Sequence, residues 1–286
     1  MNRTSESNLD PSDKRRALLK AMLRKEGVQL PSKEKISRRG ANGPAPLSFA
    51  QEQLWLIHRL EPGLTAFNIP IGVRLTGPLD IRALEQSVNE IINRHESIRT
   101  VFTIVDERPA QILTTPEPVS LHVTDLGAIP EDEREAEVRR LTIEEARIPF
   151  DLEHGPLVRM SLFRLTPEDH VFLLLLHHII SDGWSTGILI SELNALYRAY
   201  ANGQGSPLPA LEIQYADYAD WQRKTLTREA LNTQLEYWKQ QLNGAPAVLN
   251  LPTDRPRPAV VSYRGANESY PLSKGVSKFN ITWIYF

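Results

Sequence analysis

The alternation of hydrophobic and polar positions divides most of the chain into short strands and amphipathic helices. The predicted strands are residues 67–75, 98–104, 110–113, 119–123, 157–165 and 170–178. The predicted helices are residues 80–94, 131–147, 185–201 and 228–242. The first of these helices shows the pattern well, because Ile81, Leu84 and Val88 recur at helical spacing on one side. Strands mixed with helices of this length predict an α/β sandwich, although periodicity alone does not name the fold.

A separate N-terminal segment is predicted at residues 1–43. A short helix capped by Ser12 and ended at Gly27 is followed by a Pro-containing linker from Pro31 to Pro46. One face of this helix is rich in lysine and arginine. A solvated surface and a docking element for an upstream partner both remain open as interpretations of that face.

Composition narrows the class of protein. The 286 residues contain 33 Lys plus Arg against 35 Asp plus Glu, which leaves no electrostatic footprint for nucleic acid or an acidic membrane surface. Cysteine is absent, which excludes disulfides and thiolate chemistry. The longest apolar run, Val171–Leu176, is too short to span a bilayer, and the first residues lack the apolar core of a signal peptide. A cytoplasmic location is therefore expected.

The residues most suited to catalysis are clustered at the end of the last predicted strand. His177 and His178 stand at its end, and Asp182 and Gly183 precede the next predicted helix. Neighbouring side chains on a strand face opposite ways, so only one of the two histidines can point into a given cavity, and a shared metal site is not expected. A histidine in this place suits proton transfer, and Asp182 suits a helix cap or an ion pair. A packed core histidine remains the alternative.

Four segments in order along the chain resemble the condensation domains of nonribosomal peptide synthetases. They are Leu47–Trp55 (LSFAQEQLW), Arg94–Phe102 (RHESIRTVF), His177–Ser185 (HHIISDGWS) and Tyr215–Trp221 (YADYADW). The third is similar to the HHxxxDG motif of that family. Two departures are Gln53, where the family usually has arginine, and Ile98, where it has leucine. The resemblance covers about residues 44–272.

The resemblance implies a chloramphenicol acetyltransferase-like fold of two lobes with a tunnel between them, of which this chain supplies the first lobe, residues 44–273. It also implies formation of an amide bond between a donor acyl or peptidyl thioester and an acceptor aminoacyl thioester. Both substrates would be tethered to phosphopantetheine arms on partner carrier proteins, with other synthetase domains as further partners. No cofactor or metal is expected on the chain itself.

The same resemblance assigns roles to the residues of the third motif. His178 is the expected catalytic residue, which orients the attacking amine or accepts its proton. The residues expected to be structural at the site are His177, Asp182, Gly183, Arg94 and Arg99. Asp182 is expected to pair with one of the two arginines, and backbone near Gly183 to approach the tetrahedral oxyanion. Tyr215, Tyr218 and Trp221 of the fourth motif are expected to be core aromatics.

The final segment, residues 274–286, does not resemble the family's continuation into a second lobe. It is aromatic and has no helical spacing, which favours a frameshift or premature stop over a natural C-terminus. Half a tunnel would position substrates poorly, so little amide-forming activity is expected of the chain alone. The alternatives are a non-catalytic module that docks carrier proteins or synthetase partners, and an acyltransferase of the same fold that esterifies an alcohol. A fragment of a dead gene, with no function, also remains open.

Overall fold

The computed structural model describes residues 35–40, 43–248, 252–253 and 255–256. The chain divides into the units Met1–Ile36 and Ser37–Phe286, and the elements below all belong to the second. The predicted N-terminal helix and the C-terminal segment 274–286 lie outside the described residues.

The larger sheet is built around one strand that is buried along almost its whole length. Its members are β2 (Asn68–Thr76), β5 (His122–Asp125), β6 (Val158–Thr166) and β7 (Asp169–His177), in the order β2-β7-β6-β5. β7 pairs antiparallel with both β2 and β6, while β5 runs parallel to β6. Residues 170–177 of β7 are all buried, because side chains cover the sheet on both faces. The register Asn68↔His177 places the start of β2 beside the histidine pair.

A smaller sheet packs nearby, in the order β1-β4-β3. Its strands are β1 (Ala45–Pro46), β3 (Thr100–Val105) and β4 (Arg108–Leu113). Asp106 and Glu107, both at positive φ (48° and 62°), make the two-residue turn between β3 and β4. Positive φ at both central residues is the geometry that matches the twist of a tight hairpin.

Six helices complete the described part of the fold. They are α1 (Phe49–Leu60), α2 (Ile81–Arg94), α3 (Glu131–Ala146), α4 (Gly183–Ala201), α5 (Tyr215–Thr225) and α6 (Arg228–Gln241), and a 3-10 turn spans Glu96–Arg99. Among these described helices, none has the length and apolar character needed to cross a bilayer.

The core lies on both faces of β7. Leu174 and Leu176 pack with α2 and α4 on one face, through side chains such as Val88 and Leu196. The alternate residues of β7 pack on the other face, against α3 and against the loops beside the smaller sheet. This two-sided burial fixes the end of β7, where the histidines lie, in one position.

Most of the predicted elements match the structure within a few residues. The sequence motifs at residues 47–55 and 215–221 had no predicted secondary structure, yet they form most of α1 and α5. Ser48 caps α1 through a capping box, in which its hydroxyl accepts from the Gln51 N–H (3.2 Å) and its own N–H donates to Gln51 Oε1 (3.0 Å).

Candidate active site

The two adjacent histidines have opposite surroundings. The His177 side chain is 2% exposed and packs against the rings of Phe150, Phe67 and His58. Burial, helped by the nearby imidazoles, lowers the pKa of His177 to about 4, so the ring is neutral near pH 7. His178 is exposed on the other side. The strand alternation predicted from the sequence is therefore what the structure shows, and only His178 is accessible for chemistry.

The His178 ring is held by one hydrogen bond. Its Nδ1 lies 2.7 Å from the Ser181 carbonyl oxygen. A carbonyl can only accept, so the neutral ring carries its hydrogen on Nδ1 and presents the lone pair of Nε2. The arrangement gives an exposed imidazole with a defined tautomer, which can accept a proton from a substrate at Nε2.

The loop after His178 is closed by the start of α4. Asp182 caps this helix: its Oδ1 accepts from the Ser185 N–H (2.8 Å), and the Ser185 hydroxyl accepts from the Asp182 N–H (2.8 Å). The hydrogen bond from the Ser185 N–H is the main reason why the pKa of the Asp182 carboxyl lies below its usual range. Gly183 opens the helix, and a Cβ built there would meet no atom within 4 Å. The backbone at this end of α4 is therefore open to an approaching group.

The structure gives the two candidate arginines partners other than Asp182. Arg94 Nε lies 3.1 Å from Glu192 Oε2, and Arg99 donates to the Thr114 carbonyl (2.8 Å). Within the part of the chain that the structure describes, no hydrogen bond or ion pair joins either arginine to Asp182. The expected pairing is therefore wrong for these residues, because Asp182 is satisfied by the backbone of its own helix and Arg94 by a carboxylate on the middle of α4.

Arg94 instead belongs to a polar cluster that fixes α4 from its side. Glu192 accepts from Arg94 and lies 2.6 Å from His95 Nε2, and the three side chains are only 10–17% exposed. Gln214 extends the cluster to α5, because its side chain accepts from the Glu96 N–H (3.1 Å) and donates to the Arg94 carbonyl (2.9 Å). The second motif thus joins three helices. Sequence reasoning missed Glu192, since an ion pair over this separation leaves no periodic signal.

The aromatics of the fourth motif are less buried than expected. Tyr218 contacts Tyr215 and Trp221 in tilted ring pairs, with centroids 5.4 and 5.9 Å apart, but none of the three is buried and Tyr215 is 38% exposed. The Tyr215 hydroxyl lies 3.0 Å from the Ser48 hydroxyl, and partial burial of this end of the side chain raises the pKa of Tyr215. This motif therefore links α5 to the first turn of α1, and the expectation of core aromatics is wrong.

Comparison with known families decides what this arrangement is. The profile of the family described as the Condensation domain matches residues 41–280. The chain belongs to the condensation-domain family. The resemblance carried by the four motifs is thereby confirmed.

Relatives of this condensation domain are peptide synthetases. A linear gramicidin synthase polypeptide of Brevibacillus parabrevis is 51% identical over 228 residues, which is 80% of this chain and 4% of the relative. Phosphinothricin tripeptide synthetase PhsC of Streptomyces viridochromogenes is 41% identical over 261 residues, 91% of this chain and 24% of the relative. The chain thus spans a small part of these synthetases.

Solved condensation-type structures share the fold. The X-domain from teicoplanin biosynthesis matches with a TM-score of 0.69 and 28% identity over 80% of this chain and 50% of its own. The first condensation domain of the CDA synthetase matches with a TM-score of 0.67 and 23% identity, over 74% of this chain and 53% of its own. The predicted chloramphenicol acetyltransferase-like α/β fold is confirmed, and the condensation domain described here spans about half the length of these structures.

Proposed function

We propose that this condensation domain takes part in amide-bond formation between carrier-tethered substrates, with His178 as the catalytic residue. The observation that carries the proposal is the His178 ring itself, which is exposed and bound through Nδ1 to the Ser181 carbonyl, so that the neutral ring keeps a lone pair on Nε2. It stands at the end of a rigid buried strand, which is the kind of support that a catalytic side chain needs.

The proposed reaction is an attack by an amine on a thioester. The amine nitrogen of the acceptor forms a bond to the donor's thioester carbonyl carbon, and the carbon–sulfur bond then breaks. His178 Nε2 orients the amine and accepts the proton that it loses, and that proton is returned to the leaving thiolate. In this proposal the backbone at the start of α4, beside Gly183, approaches the oxyanion, and the positive end of the helix dipole favours negative charge there.

The proposed partners are carrier proteins and other synthetase domains. One relative is named as a tripeptide synthetase, which supports the proposal that both substrates are held on the phosphopantetheine arms of carrier proteins. The arms would belong to the carriers, so the proposal places no cofactor on this chain. A cytoplasmic location and the domain boundaries 1–43, 44–273 and 274–286, which are expected from the sequence, are part of the proposal.

We also propose that the remaining half of the fold is needed for activity. The chain spans about half of the length of the solved condensation-type structures. Its exposed apolar side chains support the proposal that the other half of the fold packs against them. Helix α6 has no buried residue, and an apolar stripe of Leu231, Leu235, Trp238 and Leu242 is 38–60% exposed. Trp184, next to the candidate site, is 82% exposed. Surface of this kind fits an interface with the second half of the fold.

The test is to co-express the full chain with the second half of the matching condensation domain from the linear gramicidin synthase. Acyl and aminoacyl N-acetylcysteamine thioesters serve as donor and acceptor, and amide product is measured by mass spectrometry. Product is expected only when both halves are present, and His178→Ala should lower its rate by about 10²–10⁴-fold. His154→Gln, at an exposed surface pair with Asp151, is the matched control. Product that survives His178→Ala would refute the catalytic role.

A second candidate function is a non-catalytic docking module. The observation that favours it is the similarity to a teicoplanin X-domain whose structure is a complex with OxyB, with a TM-score of 0.70 and 28% identity. Under this alternative, the combined halves would bind a carrier protein with an affinity that His178→Ala leaves unchanged, and no thioester pair would give amide.

A further inference from the structure

Two buried glutamines connect the smaller sheet to the loop that carries His178. Gln51 on α1 is 2% exposed and Gln111 on β4 is 3% exposed. Gln51 Nε2 donates to the Ile179 carbonyl (3.3 Å) and to Gln111 Oε1 (3.2 Å), and Gln111 Nε2 donates to the Pro46 carbonyl (2.7 Å). The connection therefore runs without a break from β1 to the residue that follows His178.

The Gln51 amide has no freedom to reorient. Its Oε1 accepts from the Ser48 N–H (3.0 Å), and its two N–H groups are used by Gln111 and Ile179. A rotation about the last side-chain bond would exchange donors and acceptor and break all three contacts at once. Each buried group left without a partner costs more than the hydrogen bond was worth, so the amide is locked in place.

The contact falls on the segment that sets the His178 ring. The Ile179 N–H donates to the buried His177 Nδ1 (3.1 Å), while its carbonyl accepts from Gln51. Two residues later, the Ser181 carbonyl holds His178 Nδ1. The loop is thus clamped on one side by the cap of α4 and on the other by Gln51, which fixes where the Ser181 carbonyl lies.

We propose that Gln51, supported by Gln111, is a positioning residue that keeps His178 in its Nδ1–H tautomer with Nε2 facing the substrate. The proposal rests on the proposed function only for the catalytic role of His178. The first motif and the smaller sheet would then help to position the His178 ring, a role that neither motif spacing nor periodicity predicts.

The experiment compares Gln51→Met and Gln111→Met in the full chain with Gln53→Met, an exposed glutamine on the same helix. Methionine keeps the length of the side chain and removes its hydrogen bonds. Backbone amide exchange is followed by NMR at Ile180 and Asp182 in the loop, and at amides of β7 as a reference for global opening. The ¹⁵N shifts of the His178 ring report its tautomer.

We expect both relay variants, Gln51→Met and Gln111→Met, to speed loop-amide exchange by about five- to tenfold, the factor that corresponds to one net hydrogen bond. Exchange in β7 should change less, and the His178 ring should lose its single Nδ1–H tautomer. Gln53→Met should change none of these. An equal increase in the loop and β7, or an unchanged His178 tautomer in both relay variants, would overturn the positioning role. If Gln51→Met does not fold, Gln111→Met decides by the same comparison.

The failure of this inference can be told apart from the failure of the proposed function. A changed loop with no amide product from any pairing of halves would leave the positioning role standing and refute the reaction. Amide formation that is lost with His178→Ala and unaffected by either relay variant would support the reaction and refute the positioning role.

Discussion

Replacing Asp182 by alanine tests how the loop beside His178 is held. The substitution removes the carboxylate that caps α4 and leaves the Ser185 N–H without its 2.8 Å acceptor. Loss of an N-cap of this type costs about 1 kcal/mol, within a range of about 0.5–2. For a domain of this size, that corresponds to a fall in Tm of about 2–4 °C per kcal/mol. Asp182→Asn keeps an acceptor oxygen and should lose less.

The pH dependence of the same pair gives a second signature. The pKa of Asp182 is lowered in the folded chain, so its stabilisation is present above the unfolded value of about 3.9 and is lost as the pH falls through the folded value. The free energy of unfolding of the wild type should therefore fall in this acid range, and Asp182→Asn should lack this part of the fall. Urea unfolding of both proteins from pH 7 to pH 3 measures the difference.

A double-mutant cycle then separates the two accounts of Asp182. The structure predicts no coupling between Asp182→Ala and Arg94→Gln, because Arg94 pairs with Glu192. It predicts a coupling of about 0.5–3 kcal/mol between Arg94→Gln and Glu192→Gln, since these side chains touch. A strong Asp182–Arg94 coupling combined with a weak Arg94–Glu192 coupling would refute the conclusion that Asp182 acts as a helix cap and that Arg94 pairs with Glu192.

Three further predictions concern other parts of the fold. Glu192→Gln should lower the free energy of unfolding by about 1.5–3 kcal/mol in urea titrations, because Arg94 and His95 lose their shared charged acceptor and glutamine supplies only a neutral one. No change would mean that the cluster is solvated. His177 has a folded-state pKa of about 4, so the unfolded chain protonates first and the wild type should lose about 3 kcal/mol as pH falls from 6.5 to 4. His177→Leu should flatten that fall, which an unchanged slope would contradict. Trp238→Glu should leave the free energy of unfolding within about 0.5 kcal/mol and reduce self-association in light scattering, whereas marked destabilisation would show that α6 is already covered.

The sequence predicts the central hairpin and most helices because their patterns are long and uniform. The apolar run of β7 and the helical spacing of α2 leave few alternatives, and their predicted bounds agree with the structure within one residue. The strand predicted at 119–123 is observed at His122–Asp125, since its place is set by pairing with β6 rather than by its own pattern.

Helices α1 and α5 could have been predicted from their caps. Ser48 and Gln51 have the spacing of a capping box, and Asp217 stands three residues after Gln214 in a similar arrangement at α5. The capping signal was the one available indication that Gln51 is held in a fixed conformation.

The candidate site was only partly accessible to sequence reasoning. Strand alternation correctly separates His177 from His178, because it is a local rule. The partner of Arg94 depends on which helix faces the end of α2, and the contact of Gln51 with Ile179 joins residues on distant elements. Such pairings are fixed by tertiary packing and leave no trace at short range.

The central place of β7 also determines when the larger sheet can form during synthesis. β2 pairs with β7 from Asn68↔His177 to Thr76↔Asp169, so its hydrogen-bonding edge must wait for about a hundred more residues of nascent chain. Closing so long a loop is entropically slow, and an unpaired apolar strand is prone to join other chains in the meantime. The smaller sheet contains a local β3–β4 hairpin, so it can assemble earlier than the larger sheet. Emergence of β7 from the ribosome then allows the larger sheet to close, and the histidine loop follows once the start of α4 is available to cap it.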